Sequence, residues 1–180
     1  MIGTAVKTIE SVDLLKGIEE LAGHIADRHT KEEHLVLVGI ACGGVALSRL
    51  LADLVGQRMG KPIPVGTLDI SFHRDDIGHS PISKVSDPSD LPMDIDHATV
   101  ILVDDVMESG RTARAGLNEL FDYGRPDKVE LAVLVDRGGR KLPIRPDYVV
   151  FHEQVQLGWK VVVQLNSDQP QKSSVVFYEE

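Results

Sequence analysis

The segment VILVDDVMESGRT, residues 100–112, constrains the fold of this chain more than any other. Val100, Ile101, Leu102 and Val103 make a short, apolar, mostly β-branched run of the kind that fills a buried strand. Asp104 and Asp105 follow at its carboxyl end. From Arg111 the apolar period changes: Ala113, Ala115, Leu117, Leu120 and Phe121 share one helical stripe, which Gly124 and Pro126 close. Glu108 to Thr112 therefore lies at a helix N-terminus, where unpaired backbone N–H groups and the positive dipole end attract an anion. Ser109 and Thr112 add hydroxyls, and Gly110 admits close backbone approach or a positive φ. An acidic pair beside such a cradle suits a phosphorylated sugar. The carboxylates accept from two ribose hydroxyls and hold Mg²⁺ while the loop holds the 5′-phosphate. Taken singly, such a βα turn is more readily read as an aspartate pair capping a helix in solvent, but thirteen consecutive positions in this order reverse that preference and favour the ligand site.

At 180 residues and 42% hydrophobic content, residues 1–180 are expected to form one domain with a sizeable core. A net charge of −9 opposes a surface generally coated with nucleic acid but leaves room for a local basic patch. The single cysteine, Cys42, excludes an intrachain disulfide and fits a reducing compartment. No apolar run approaches membrane-spanning length and the start, MIGTAVKTIE, lacks a secretory apolar region, so a cytoplasmic protein that engages no membrane is expected.

Along the chain, Ser11 is a plausible N-cap for a helix carrying Leu14, Ile18, Leu21, Ala22 and Ile25. LVLVGI (35–40) reads as a buried strand and ACGG (41–44) as a tight loop. Val45, Leu47, Leu50, Leu51, Leu54 and Val55 give the next helix. Further strands are expected at 63–72, 100–103, 129–135, 147–151, 160–165 and 174–178. The alternation predicts an α/β fold with a mostly parallel central sheet flanked by helices. Ligands gather at the carboxyl edges of such sheets, which brings the loops at 41–44, 73–96, 104–112 and 136–141 to one rim. The long stretch from His73 to Asp96, rich in Asp, Ser, Pro and His, is expected to be a flexible lid.

The 100–112 segment resembles the signature of the type I phosphoribosyltransferases, which bind 5-phosphoribosyl-1-diphosphate (PRPP). Over almost the whole chain the sequence is similar to one branch of that family, the PyrR family of uracil phosphoribosyltransferases that also bind pyrimidine-operon mRNA. The match is carried by VGI at 38–40, VGTLDISFHRDDI at 65–77, the 104–112 loop, GRPDKVELAVLVDRGGRKLPIRPDYV at 124–149, VVVQL at 161–165 and the closing YEE. LAVLVDRGGRKLPIRPDYV is the most specific of these, because phosphoribosyltransferases in general do not share it. The resemblance implies the type I phosphoribosyltransferase fold with a small hood region. It implies catalysis of uracil plus PRPP to UMP plus diphosphate with Mg²⁺, UMP-responsive binding to a pyr mRNA leader, and a homodimer or tetramer. A catalytically weak nucleotide-binding regulator, or a transferase preferring purine bases, are the alternatives.

By the same resemblance, Ser109, Gly110, Arg111 and Thr112 hold the 5′-phosphate, and Asp104 and Asp105 hold the ribose hydroxyls and the metal. Cys42, Gly43 and Gly44 form the pyrophosphate loop, and Arg137 joins the nucleotide site. Arg74, with His73, Asp75 and Asp76, is a catalytic lid candidate, although a plain solvated turn fits those four almost as well. Arg140, Lys141 and Arg145 form with Arg137 a small cationic cluster that suits RNA, or a solvated salt-bridge set.

Four departures from the family pattern bear on function. Cys42, Gly43 and Gly44 replace a Thr-Arg-Gly loop, removing an arginine that would strengthen pyrophosphate binding. Glu108 stands where Tyr is common and is either a proton acceptor for the incoming base or a solvated loop residue. Val150, Phe151, His152, Glu153, Gln154 and Val155 replace a Gly-Lys-Asn-Ile-Pro-Thr stretch near the base pocket. Gly139 occupies a position that is usually His.

Overall fold

The computed structural model describes residues 3–41, 43–71, 88–156, 158–166 and 169–179. In chain order the elements are β1 (Thr4–Ile9), α1 (Ser11–Arg28), β2 (Leu35–Ile40), α2 (Gly43–Met59), β3 (Val65–Leu68), β4 (Thr99–Met107), α3 (Arg111–Tyr123), β5 (Lys128–Asp136), β6 (Tyr148–His152), β7 (Trp159–Gln164) and β8 (Ser174–Glu179), with a 3₁₀ turn at Pro170–Lys172.

Five strands form a sheet in the order β3-β2-β4-β5-β6, and every pairing in it is parallel. Both faces of such a sheet must be covered, which explains why β2 is buried at every position instead of alternating with solvent. Leu35, Leu37, Ile101, Val103, Ala132 and Leu134 pack with α1 and α2 in one apolar cluster. Their neighbours Val36, Val38, Val100, Leu102, Leu131 and Val133 pack on the other face with Ala113 and Leu120 of α3. A period of two along each strand thus builds both layers.

The remaining strands form a separate antiparallel sheet, β1-β8-β7, which is the expected hood. Val175 and Phe177 of β8 are fully buried and bind this sheet to the α1–α2 cluster. β1 gave no strand signal in sequence, because among the described residues it pairs only with β8 at the far end of the chain and five of its six residues are exposed.

Several boundaries differ from expectation for local reasons. Ser11 is the first residue of α1 instead of its cap; Glu10 holds the cap position in extended conformation, and its carbonyl accepts from Leu14 N–H. The strand expected at 63–72 is only Val65–Leu68, because Asp69 Oδ1 accepts from both the backbone N–H and the hydroxyl of Ser71 and turns the chain away. Gly43 and Gly44 lie in the first turn of α2 and not in a preceding loop. Of the expected lid, residues 73–87 lie outside the described residues. Its final part is fastened to the sheet edge, where Thr67 and Asp90 exchange backbone hydrogen bonds at 2.8 and 2.9 Å.

Candidate phosphoribosyl site

β4 is longer than its apolar run. Its pairing with β2 ends at Gly39 opposite Val103, while pairing with β5 continues to Met107 opposite Asp136. Asp104 and Asp105 therefore sit inside a strand that projects past β2, not beyond its end. Asp104 is buried, and its Oδ1 accepts from the Asp105 N–H at 3.0 Å. Burial pushes the Asp104 carboxyl well above the usual carboxylate range, and the charge of Asp105 adds to this. Asp105 is partly open, with its Oδ1 accepting from Val106 N–H at 2.8 Å.

The start of α2 closes against this pair. A Cβ on Gly43 would lie 2.1 Å from Asp105 Oδ2, and one on Gly44 would lie 2.0 Å from the Val103 carbonyl oxygen. Two glycines are what let the helix N-terminus meet β4 here. Cys42 lies outside the described residues, as do His73, Arg74, Asp75 and Asp76.

Beyond Met107 the chain turns through Ser109 and Gly110 into α3. Gly110 holds the N-cap position at φ +91°, a left-handed conformation that a side chain would strain. Ser109 Oγ accepts from Arg111 N–H at 3.2 Å, and the Ser109 carbonyl accepts from Lys141 and Leu142 N–H at 3.0 and 3.1 Å. The 137–142 loop is thereby stitched to the α3 entrance, as is Arg137, whose N–H donates to the Met107 carbonyl at 3.0 Å.

A pocket of about 270 Å³ opens between these segments and the hood, lined by Val106, Met107, Glu108, Ser109, Gly110, Thr112, Arg137, Lys160 and Val161. The structure thus brings Glu108, Ser109, Gly110, Thr112 and Arg137 together as expected from sequence, with Arg111 at the first turn of α3. Asp104, Asp105, Gly43 and Gly44 adjoin one another beside it. The Arg137 guanidinium, 14% exposed, reaches Glu108 Oε2 at 3.3 Å and donates to the Trp159 carbonyl at 2.6 Å. Glu108 is 58% exposed at its side chain and carries this one ion pair, a geometry open to both readings given above, base contact and solvated loop residue. The Glu108 and Gly139 departures also meet, since a Cβ on Gly139 would lie 3.6 Å from Glu108 Cγ.

The basic cluster is divided. Arg137 turns into the pocket, Arg140 pairs with Asp136 at 2.8 Å, and Lys141 and Arg145 are exposed. Lys160 was not singled out in sequence. It is the second residue of a mostly apolar strand, where a lone lysine reads as a solvent-facing residue, and the antiparallel hood is what brings β7 over the α3 entrance.

A phosphoribosyl transferase domain model matches residues 6–170. The fold is shared with the hypoxanthine phosphoribosyltransferase of Trypanosoma cruzi at TM-score 0.67 and 20% identity, covering 99% of this chain and 98% of that one. A hypoxanthine-guanine phosphoribosyltransferase of Bacillus anthracis gives TM-score 0.63 and 20% identity over 87% of this chain and 85% of that one. Fold, βα phosphate turn and domain match together define a type I phosphoribosyltransferase. Within that class, a Bifunctional protein PyrR of Desulfosudis oleivorans is 52% identical over 133 residues, 72% of each chain. That of Bacillus subtilis is 40% identical over 169 residues, 91% of each chain. The chain belongs to the PyrR family.

Proposed function

We propose that this chain, acting as one domain, transfers the 5-phosphoribosyl group of PRPP to uracil, giving UMP and diphosphate, and that its UMP-bound form regulates pyrimidine-biosynthesis genes through a pyr mRNA leader. The observation that carries the reading is the α3 entrance: a left-handed glycine and two hydroxyl residues at a helix N-terminus, directly after two aspartates on a projecting strand. Family membership supplies the chemistry.

The backbone of Ser109 to Thr112 holds the 5′-phosphate, with the α3 dipole favouring the anion. Asp104 and Asp105 accept from the ribose hydroxyls. The start of α2 at Gly43 and Gly44 faces the pyrophosphate. In the reaction the bond from ribose C1 to the pyrophosphate oxygen breaks, the base N1 bonds to C1, and the N1 proton is released. Holding both ends of PRPP fixes C1 before the base, and the hood strand β7 limits water access from above. Two neighbouring carboxylates fit Mg²⁺, which takes one or two protein carboxylates and completes its shell from substrate oxygens and water. When bound there it neutralises the departing pyrophosphate.

Lys141 and Arg145, exposed next to the nucleotide loop, support RNA contact; Arg140 joins them at the cost of its pair with Asp136. As in the family generally, a homodimer or tetramer is proposed. Among the described residues no helix is long and apolar enough to cross a membrane, and we propose a cytoplasmic location.

UMP formation from uracil, PRPP and Mg²⁺ tests the catalytic half, and absence of product would overturn it. The regulatory half predicts that UMP strengthens binding to the leader of the chain's own pyrimidine operon, with affinity falling as salt rises. A flat salt response or no binding would remove it.

A further inference from the structure

The pocket that the phosphate turn itself helps to line also carries three charged groups to which the transfer chemistry above gives no role. Glu108 presents a carboxylate, Arg137 a guanidinium, and Lys160 an ammonium from the hood, all lining the same 270 Å³. Arg137 is held on two sides, by Glu108 at 3.3 Å and by the Trp159 carbonyl at 2.6 Å, which leaves other N–H donors of its fork for a ligand. Lys160 is exposed and makes no ion pair with a described residue. The pocket lining therefore includes one charged acceptor and two charged donors.

The uracil edge remote from N1 is the complement of that set: two carbonyl oxygens, O2 and O4, on either side of the N3–H. Cytosine keeps O2 but turns N3 into an acceptor and the 4-position into an amino donor. It would bring a lone pair against the Glu108 carboxylate and an N–H₂ group against a cation. Mismatches of this kind leave the site's polar groups unpaired and are how such sites discriminate.

We propose that Glu108 is a specificity-determining residue that accepts from N3–H of the pyrimidine, with Arg137 and Lys160 facing the carbonyl oxygens. The proposal rests on the phosphoribosyl reading of the α3 entrance. A carboxylate already engaged by Arg137 is suited to act as a fixed acceptor and not as the carrier of the N1 proton. Gly139, whose added Cβ would reach only the Glu108 Cγ at 3.6 Å, leaves that side of Glu108 open.

UMP and CMP share ribose and phosphate and differ only along this edge, so calorimetric titration of the full chain with each isolates the base contact from catalysis. Wild type should prefer UMP by at least about tenfold. Glu108→Ala should bring the two affinities within about twofold by weakening UMP. Glu108→Gln, which puts an amide donor opposite cytosine N3, should weaken UMP while strengthening CMP. Movement of the two nucleotides in opposite directions supports the assignment, because a merely structural role would shift both together. Equal affinity in wild type, or a UMP preference unchanged in both variants, overturns Glu108 alone. Failure of wild type to bind PRPP and either nucleotide overturns the phosphoribosyl reading beneath it.

Discussion

A Cβ on Gly44 would lie 2.0 Å from the Val103 carbonyl oxygen and 3.1 Å from the Asp104 Cα, so α2 and β4 touch backbone to backbone beside the aspartate pair. Neither partner is a flexible side chain that could move aside.

Gly44→Ala should therefore force α2 away from β4, an overpacking cost of about 1–3 kcal/mol or more. Gly60 is the control: its φ of +68° strains any side chain, but nothing lies within 4 Å of an added Cβ. Gly60→Ala should cost only the left-handed penalty of about 1–2 kcal/mol. Urea unfolding of both variants, with PRPP titration, checks this; Gly44→Ala alone should also lose PRPP. Equal losses of stability with PRPP binding intact would show that the helix does not depend on this contact.

The residues that made the site legible in sequence are those whose chemistry is local. Val100 to Val103 announce a buried strand, and Ser109, Gly110 and the stripe from Ala113 announce the turn and helix. Glycines 43 and 44 were read as a pyrophosphate loop, but their steric reason, contact with Val103 and Asp105, is a tertiary fact that no local pattern encodes. Lys160 was invisible for the same cause. Its place over the α3 entrance exists only because β7 pairs with β8, and β8 with β1, across the length of the chain.

Far from the site, Glu130 on β5 is almost fully buried beneath α1. Tyr148 OH donates to its Oε2 at 2.8 Å and His29 Nε2 lies 2.8 Å from the same oxygen, while Lys128 and Arg28 stand 2.6 and 3.1 Å from Oε1. Burial pushes the Glu130 carboxyl upward, but Lys128, Tyr148 and His29 outweigh it and hold the group at about 2, below the ordinary 4.5. A depressed carboxyl stabilises the fold above its unfolded value and loses that contribution as pH falls through the folded one. Stability should thus decline from about pH 4.5 towards 2. The contribution is about 1–3 kcal/mol, discounted because Arg28 and Lys128 are half exposed. Glu130→Gln should be less stable at pH 7 and show a shallower acid decline in denaturant midpoints; an unchanged acid profile would refute the assignment.

Asp104 has the opposite sign. Its raised carboxyl means that carrying a charge at neutral pH costs the folded state, a cost relieved as pH falls through the folded value. Asp104→Asn keeps an oxygen for the Asp105 N–H and removes the buried charge. Its melting temperature at pH 7 should equal or exceed wild type, while UMP formation should fall at least about a hundredfold. A variant both less stable and fully active would contradict the role given to Asp104.

Arg137 joins the nucleotide pocket to the hood through the Trp159 carbonyl. In Arg137→Met, amide exchange across β7 should quicken while β2 and β4 keep their protection. Uniform protection in all three strands would show that the hood is held by its apolar contacts alone.

The most direct measurement is a crystal structure of the protein with UMP and Mg²⁺. The phosphoryl oxygens should lie within hydrogen-bonding distance of the backbone N–H groups between Ser109 and Thr112, with the ribose hydroxyls at Asp104 and Asp105. A fully occupied UMP whose phosphate lies elsewhere, leaving the α3 entrance to solvent, would contradict the account.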